Sequence, residues 1–128
     1  MRVFFILIFL FTIFIGTTDC ETKVAYSYGW IGDNVDLELG KSAQYRRLIG
    51  KVKQVYRVCN GKNAAKCGYW ENIKTKKKVA NASKTTFNST GNILTIKKVT
   101  LKDAGTYWTN DVNDVTYLMV SEPGLLGK

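Results

Sequence analysis

Three cysteines and no histidine bound the chemistry open to this chain of 128 residues. Without an imidazole there is no Ser-His-Asp or Cys-His relay. The usual nitrogen ligand of zinc is missing as well. Cys59 and Cys67 have two readings. As metal ligands they fall short, because two thiolates cannot fill a tetrahedral site from this chain alone. As an even pair in an oxidising compartment they form a disulfide around a short loop. Cys20 then stands apart, beside an expected cleavage zone; if it survives, it is an odd thiol able to pair between chains. Asp111 and Asp114 are close in sequence and Asp33 lies in another loop, yet turn formation explains these carboxylates better than acid–base work. No Gly-x-Ser-x-Gly elbow and no phosphate-binding loop occurs. The chain reads as a non-enzyme that needs no cofactor and no metal.

Binding chemistry is the stronger signal. Lys and Arg number 19 against 10 Asp and Glu, a formal charge of +9. Arg46, Arg47, Lys51, Lys53 and Arg57 fall across two neighbouring strands. Lys74, Lys76, Lys77 and Lys78 form a tighter group. Outside a cell such groups suit sulfated glycans, anionic lipid heads or acidic proteins. They serve equally as a solubilising surface, and a lysine run guards the strand beside it against aggregation. Of Trp30, Trp70 and Trp108, the last is the best contact candidate, since alternation turns it outward if Tyr107 faces the core. Tyr69 and Trp70 point opposite ways, which places one of them inside. Asn81-Ala82-Ser83 and Asn88-Ser89-Thr90 are glycosylation sequons. Glycans at Asn81 and Asn88 would cover the edge over residues 79–87 and hinder sheet-to-sheet pairing.

These residues need elements to position them. Met1-Arg2 gives a short basic start, and residues 3–15 are apolar except for Thr12. The run is shorter than the roughly 18 residues of a membrane span and has the form of a secretory leader. Cleavage after Thr18 or after Cys20 fits the small residues there; retention as an anchor is the rival. From Asp19 onward no helical period lasts three turns. Short β-branched and aromatic runs alternate with turn residues instead. Strands are expected over 24–28 (weak), 35–39, 43–48, 52–59, 67–73, 79–87 (an edge), 92–97, 106–111 and 115–121. Val35, Leu37 and Leu39 share one face. Eight or nine strands at this spacing predict an all-β antiparallel sandwich or barrel, and residues 122–128 read as a flexible tail.

One stretch is more specific. Leu94-Thr95-Ile96, then Val99, then Asp103-Ala104-Gly105-Thr106-Tyr107 strongly resembles the late strands of immunoglobulin domains. Asp103 accepts hydrogen bonds in such a corner, Gly105 gives the backbone room, and Tyr107 sends its hydroxyl back to the corner backbone. Residues 32–39 resemble the family's second strand. The resemblance implies core cysteines at Leu39 and Thr109, and both are missing, so the sandwich lacks the usual inter-sheet disulfide. The family's core tryptophan aligns best with Tyr45. The segment from Tyr56 to Trp70, with Cys-Gly-x-Trp at its end, makes most of residues 21–121 similar to small secreted single-domain immunoglobulin-like proteins of nematodes. That resemblance implies secretion and little about the ligand.

The expectation is therefore a leader over residues 1–18 (or to 20), one immunoglobulin-like domain over 21–121 with Cys59 and Cys67 joining adjacent strands, and an extracellular location with no stable membrane span. A sheet face carrying Trp108, Arg46 and Arg47, or the end loops, would engage an extracellular protein in homophilic or receptor contact. The alternative is a basic polyanion-binding protein, holding sulfated glycans through Lys76, Lys77, Lys78 and the arginine group. Nucleic acid is not expected in that compartment.

Overall fold

The computed structural model describes residues 23–109 and 114–123. The expected leader with Cys20, the carboxylate of Asp111, the turn before Asp114 and most of the expected tail lie outside them. Among the described residues the chain forms β1 (Lys23–Trp30), β2 (Val35–Glu38), β3 (Gln44–Ile49), β4 (Val52–Arg57), β5 (Trp70–Asn72), β6 (Thr85–Asn88), β7 (Ile93–Ile96), β8 (Gly105–Trp108) and β9 (Asp114–Ser121). Its helical segments there are two single turns, Ala64–Lys66 and Leu101–Asp103. The strands make two sheets, a six-stranded one in the order β1-β9-β8-β3-β4-β5 and a three-stranded one in the order β2-β7-β6.

The core lies between the two layers. In β2, Val35 and Leu37 are buried while Asp36 and Glu38 are exposed, as strict alternation requires. Leu37 pairs with Leu94 and Val35 with Ile96 across the ladder to β7. From the larger sheet Tyr45, Tyr56, Trp70, Tyr107 and Leu118 complete one cluster with them. Each such side chain contributes roughly 1.5–3 kcal/mol by leaving water. Leu39 and Thr109, the two places where sulfur was looked for, are both buried. Leu39 joins the apolar cluster.

The structure corrects the expected strands in three places. The sheets are not wholly antiparallel, because β1 runs parallel to β9 over eight residue pairs. No hairpin is needed there, since the intervening chain supplies the crossover. The strand expected over 67–73 shrinks to β5, because Gly68 turns to a φ of 80° and its N–H is drawn to the Arg57 carbonyl. The edge expected over 79–87 starts only at Thr85, after Asn81 has taken a φ of 57°.

The corner before β8 is held by local polar bonds. Thr100 caps the Leu101–Asp103 turn, and the Asp103 carboxylate accepts from the Thr100 N–H at 2.8 Å. The Tyr107 hydroxyl donates to the Asp103 carbonyl at 2.6 Å. Gly105 is required by close approach rather than by an unusual φ: a Cβ there would collide with the Leu48 carbonyl oxygen of β3.

Cys59 and Cys67 form a disulfide with Cα atoms 5.1 Å apart, linking the end of β4 to the approach to β5. The small loop it closes suggests a contribution of roughly 2–3 kcal/mol through the unfolded chain. A Cys59→Ser/Cys67→Ser variant should therefore melt roughly 10–15 °C lower, with its β circular dichroism intact in the cold. An unchanged melting temperature would show that the bridge restrains only its own loop.

Candidate functional site

Arg47 is not a surface contact, contrary to the sequence reading. Strand alternation in β3 turns it inward with Tyr45, and it is 1% exposed. Its Nε donates to Gln54 Oε1 at 2.7 Å. One terminal nitrogen donates to Asp103 Oδ1 at 3.1 Å and to the Tyr107 hydroxyl at 3.0 Å. The guanidinium lies 4.1 Å from the centre of the Trp70 ring. Asp103 also accepts from the Ser83 hydroxyl. The Trp70 indole N–H donates to the Thr85 hydroxyl at 2.8 Å, and the Tyr56 hydroxyl donates to the Thr85 carbonyl at 3.1 Å. One buried charge thus ties together β3, β4, β8, the Leu101–Asp103 turn and the approach to β6. Burial pushes the Tyr107 hydroxyl up to about 12, against the opposing pull of Arg47. Burial also raises Tyr56, and raises Tyr45 against a hydrogen bond to the Ser42 backbone. A group so closed to water holds the fold; it offers nothing to a ligand.

The opposite face of the same sheet is open. Cross-strand register places Val24, Val115, Trp108, Arg46, Val55 and Glu71 in one row. The next row runs Tyr26, Tyr117, Thr106, Leu48 and Lys53. At the β1/β9 end the residues are large and exposed: Tyr28 is 71% accessible, Tyr26 58%, Met119 45% and Tyr117 38%. The rings of Tyr26 and Tyr117 stack with centroids 5.6 Å apart. The exposed side chains thus form a contiguous aromatic patch at this end of the sheet. Further along the face Trp108 is half-buried rather than free. Arg46 beside it keeps its Nε shielded from water and without a hydrogen-bond partner, a cost of about 1–3 kcal/mol.

Comparison with protein-family models and with curated proteins finds no match for this chain. Sequence reasoning had reached Trp108 and Arg46 but not Tyr26, Tyr28, Tyr117 or Met119. The signal was there in the spacing: large residues at 24, 26 and 28, and again at 117 and 119, each two apart. Gly29 sits on the other side of β1, where a Cβ would run into Val35. The inner side of that strand is small because the layers approach closely, so its bulk points to solvent.

Lys74, Lys76, Lys77 and Lys78 are all exposed. The Lys78 backbone forms an isolated antiparallel β-bridge with that of Glu71 at the edge of β5, and the Lys78 ammonium stands over the Tyr69 ring at 5.4 Å. Trp70 is the inward member of the Tyr69–Trp70 pair. Asn81, before β6, and Asn88, its last residue, are both exposed, and β6 is a free edge of the smaller sheet. The hydroxyl of the first sequon, Ser83, is already engaged by Asp103. Asn81→Gln is thus the clean way to remove that sequon, since Ser83→Ala would also cut a bond to the buried charge.

Proposed function

We propose that this protein is a secreted immunoglobulin-like binding or adhesion module that recognises an extracellular protein through the outer face of its six-stranded sheet. The carrying observation is the exposed cluster of Tyr26, Tyr28, Tyr117 and Met119 at the β1/β9 end. Tyrosine is suited to this work: it supplies large rigid area and a polar tip at small entropic cost. The net charge of +9, with Arg46 and Lys53 on the same face, favours a partner with acidic residues around an apolar centre.

The immunoglobulin-like reading is supported by the strand order. Among the described residues nine strands split so that β1, β9, β8, β3, β4 and β5 share a sheet, within which β9, β8, β3, β4 and β5 match the G, F, C, C′ and C″ strands of a variable-type domain, and β2, β7 and β6 make the other. The Asp103–Tyr107 corner supports it too. Secretion is supported by the apolar run at 3–15 and by the Cys59–Cys67 disulfide. Among the described residues no helix is long and apolar enough to cross a membrane.

The test is a multivalent display of residues 21–128 against an array of extracellular proteins, followed by affinity measurement on the partner found. Tyr26→Ser and Tyr117→Ser should each weaken binding about thirtyfold, the effect of losing about 2 kcal/mol at a contact centre. Asp36→Asn, at an exposed position on β2 in the other sheet, should leave it unchanged. Equal affinity for all three variants would refute the assignment of this face.

A further inference from the structure

A second surface lies at the far end of the same face, and nothing in the sheet-face reading depends on it. A groove of about 690 Å³ opens between the Cys59–Cys67 loop and the turn after β5. Val55 forms part of its lining, with Tyr69, Arg57, Glu71, Lys66 and Lys76 around it. The volume falls within the range of sites for small ligands. Both walls are fixed. On one side the disulfide is joined by Asn63, whose side chain donates to the Val58 carbonyl at 3.0 Å and accepts from the Asn60 N–H at 3.0 Å. On the other, the Asn72 side chain accepts from the N–H groups of Lys74 and Thr75 at 2.9 and 3.2 Å. Lys76 is held there with a φ of 60°.

The charges in this groove do not cancel. Arg57 meets Glu71 at 2.8 Å, which neutralises the one carboxylate lining it. Lys66 and Lys76 form no salt bridge among the described residues, and Lys78 stands over Tyr69. Two ammonium groups without a carboxylate partner beside an aromatic ring suit a ligand with several anionic groups on a compact ring framework, whose C–H face can lie on tyrosine. An extended acidic peptide fits less well. The Asn72 N–H already donates to the Lys77 carbonyl, and the Val79 N–H to the Trp70 carbonyl, so the edge of β5 is closed to an added strand. We infer that this groove binds a sulfated saccharide, with Lys66 and Lys76 holding the sulfates and Tyr69 packing against the sugar ring.

The probe is a heparin-derived tetrasaccharide, titrated calorimetrically into the intact exported protein at physiological salt. Lys66→Gln/Lys76→Gln should weaken it about tenfold or more, whereas Lys97→Gln/Lys102→Gln, an equal charge change outside the groove, should alter it less than about twofold. Tyr69→Ala should weaken it with no change in net charge. The desulfated tetrasaccharide should not bind. Equal losses from the two lysine pairs would overturn the proposal in favour of a diffuse field. Polyglutamate or anionic vesicles binding as tightly, with the same loss in the Lys66/Lys76 variant, would overturn it in favour of an acidic protein or a lipid surface. Absence of tetrasaccharide binding at that salt would overturn it outright.

Discussion

Asp103→Ala should destabilise the domain by about 3–5 kcal/mol, the cost of stranding a buried charge. The residue left behind is Arg47, whose side chain is 2% exposed and whose counter-charge lies 3.1 Å away in the native chain. Gln54 and the Tyr107 hydroxyl would still accept from it, but neither carries charge. Asp103→Asn should fall in between, since an amide oxygen can still accept from Arg47, the Thr100 N–H or Ser83. The double variant Arg47→Met/Asp103→Ala should lose clearly less than the sum of the single changes, because it removes both charges together. Urea unfolding of the native chain, the three single variants (Asp103→Ala, Asp103→Asn and Arg47→Met) and the double variant, read as midpoints at constant slope, checks this. Additive losses would mean the pair is not coupled, and a loss under about 1 kcal/mol for Asp103→Ala would mean that water reaches Arg47.

The same pair shows where sequence reading stops. An arginine beside another arginine in a basic chain reads as surface by residue type, although alternation puts Arg47 on the same side of β3 as Tyr45. Only the contact with Asp103, 56 residues later, makes Arg47 a core residue. The layered all-β architecture was legible, because Val35, Leu37, Leu94 and Ile96 repeat at period two and turn residues separate the runs. The Cys59–Cys67 pairing was legible from elimination and compartment. The open face was half legible. Trp108 drew notice as a tryptophan, yet it is half-buried, while β1 looked weak because its inward positions are small. Register, not composition, brings Tyr26 over Tyr117 and Tyr28 beside Met119. The groove was harder still, since Lys66, Tyr69 and Lys76 come together only through a disulfide loop and a turn that fold back on β4 and β5.

Alkali should unfold this protein through Tyr107. Its hydroxyl is held at about 12 in the folded state against 10 when exposed, chiefly by burial. A raised folded value for an acid means that its neutral form is favoured inside. The stability this represents is complete below pH 10, declines as the pH rises from 10 to about 12, and is gone above that. The shift corresponds to roughly 3 kcal/mol. Tyr45 and Tyr56 are raised as well, so they steepen the same decline. Unfolding free energy measured from pH 8 upward should be flat to about 10 and then drop, with tyrosinate absorbance from the buried rings appearing together with loss of structure. Tyr107→Phe starts lower, because the hydroxyl's bonds to Asp103 and Arg47 are absent, but its curve should fall less between pH 10 and 12. If the two curves fall in parallel, or if every tyrosine titrates near 10 while the fold persists, the phenol is not sealed at the corner. The link from Arg47 through Tyr107 to Asp103 would then not close the core as described.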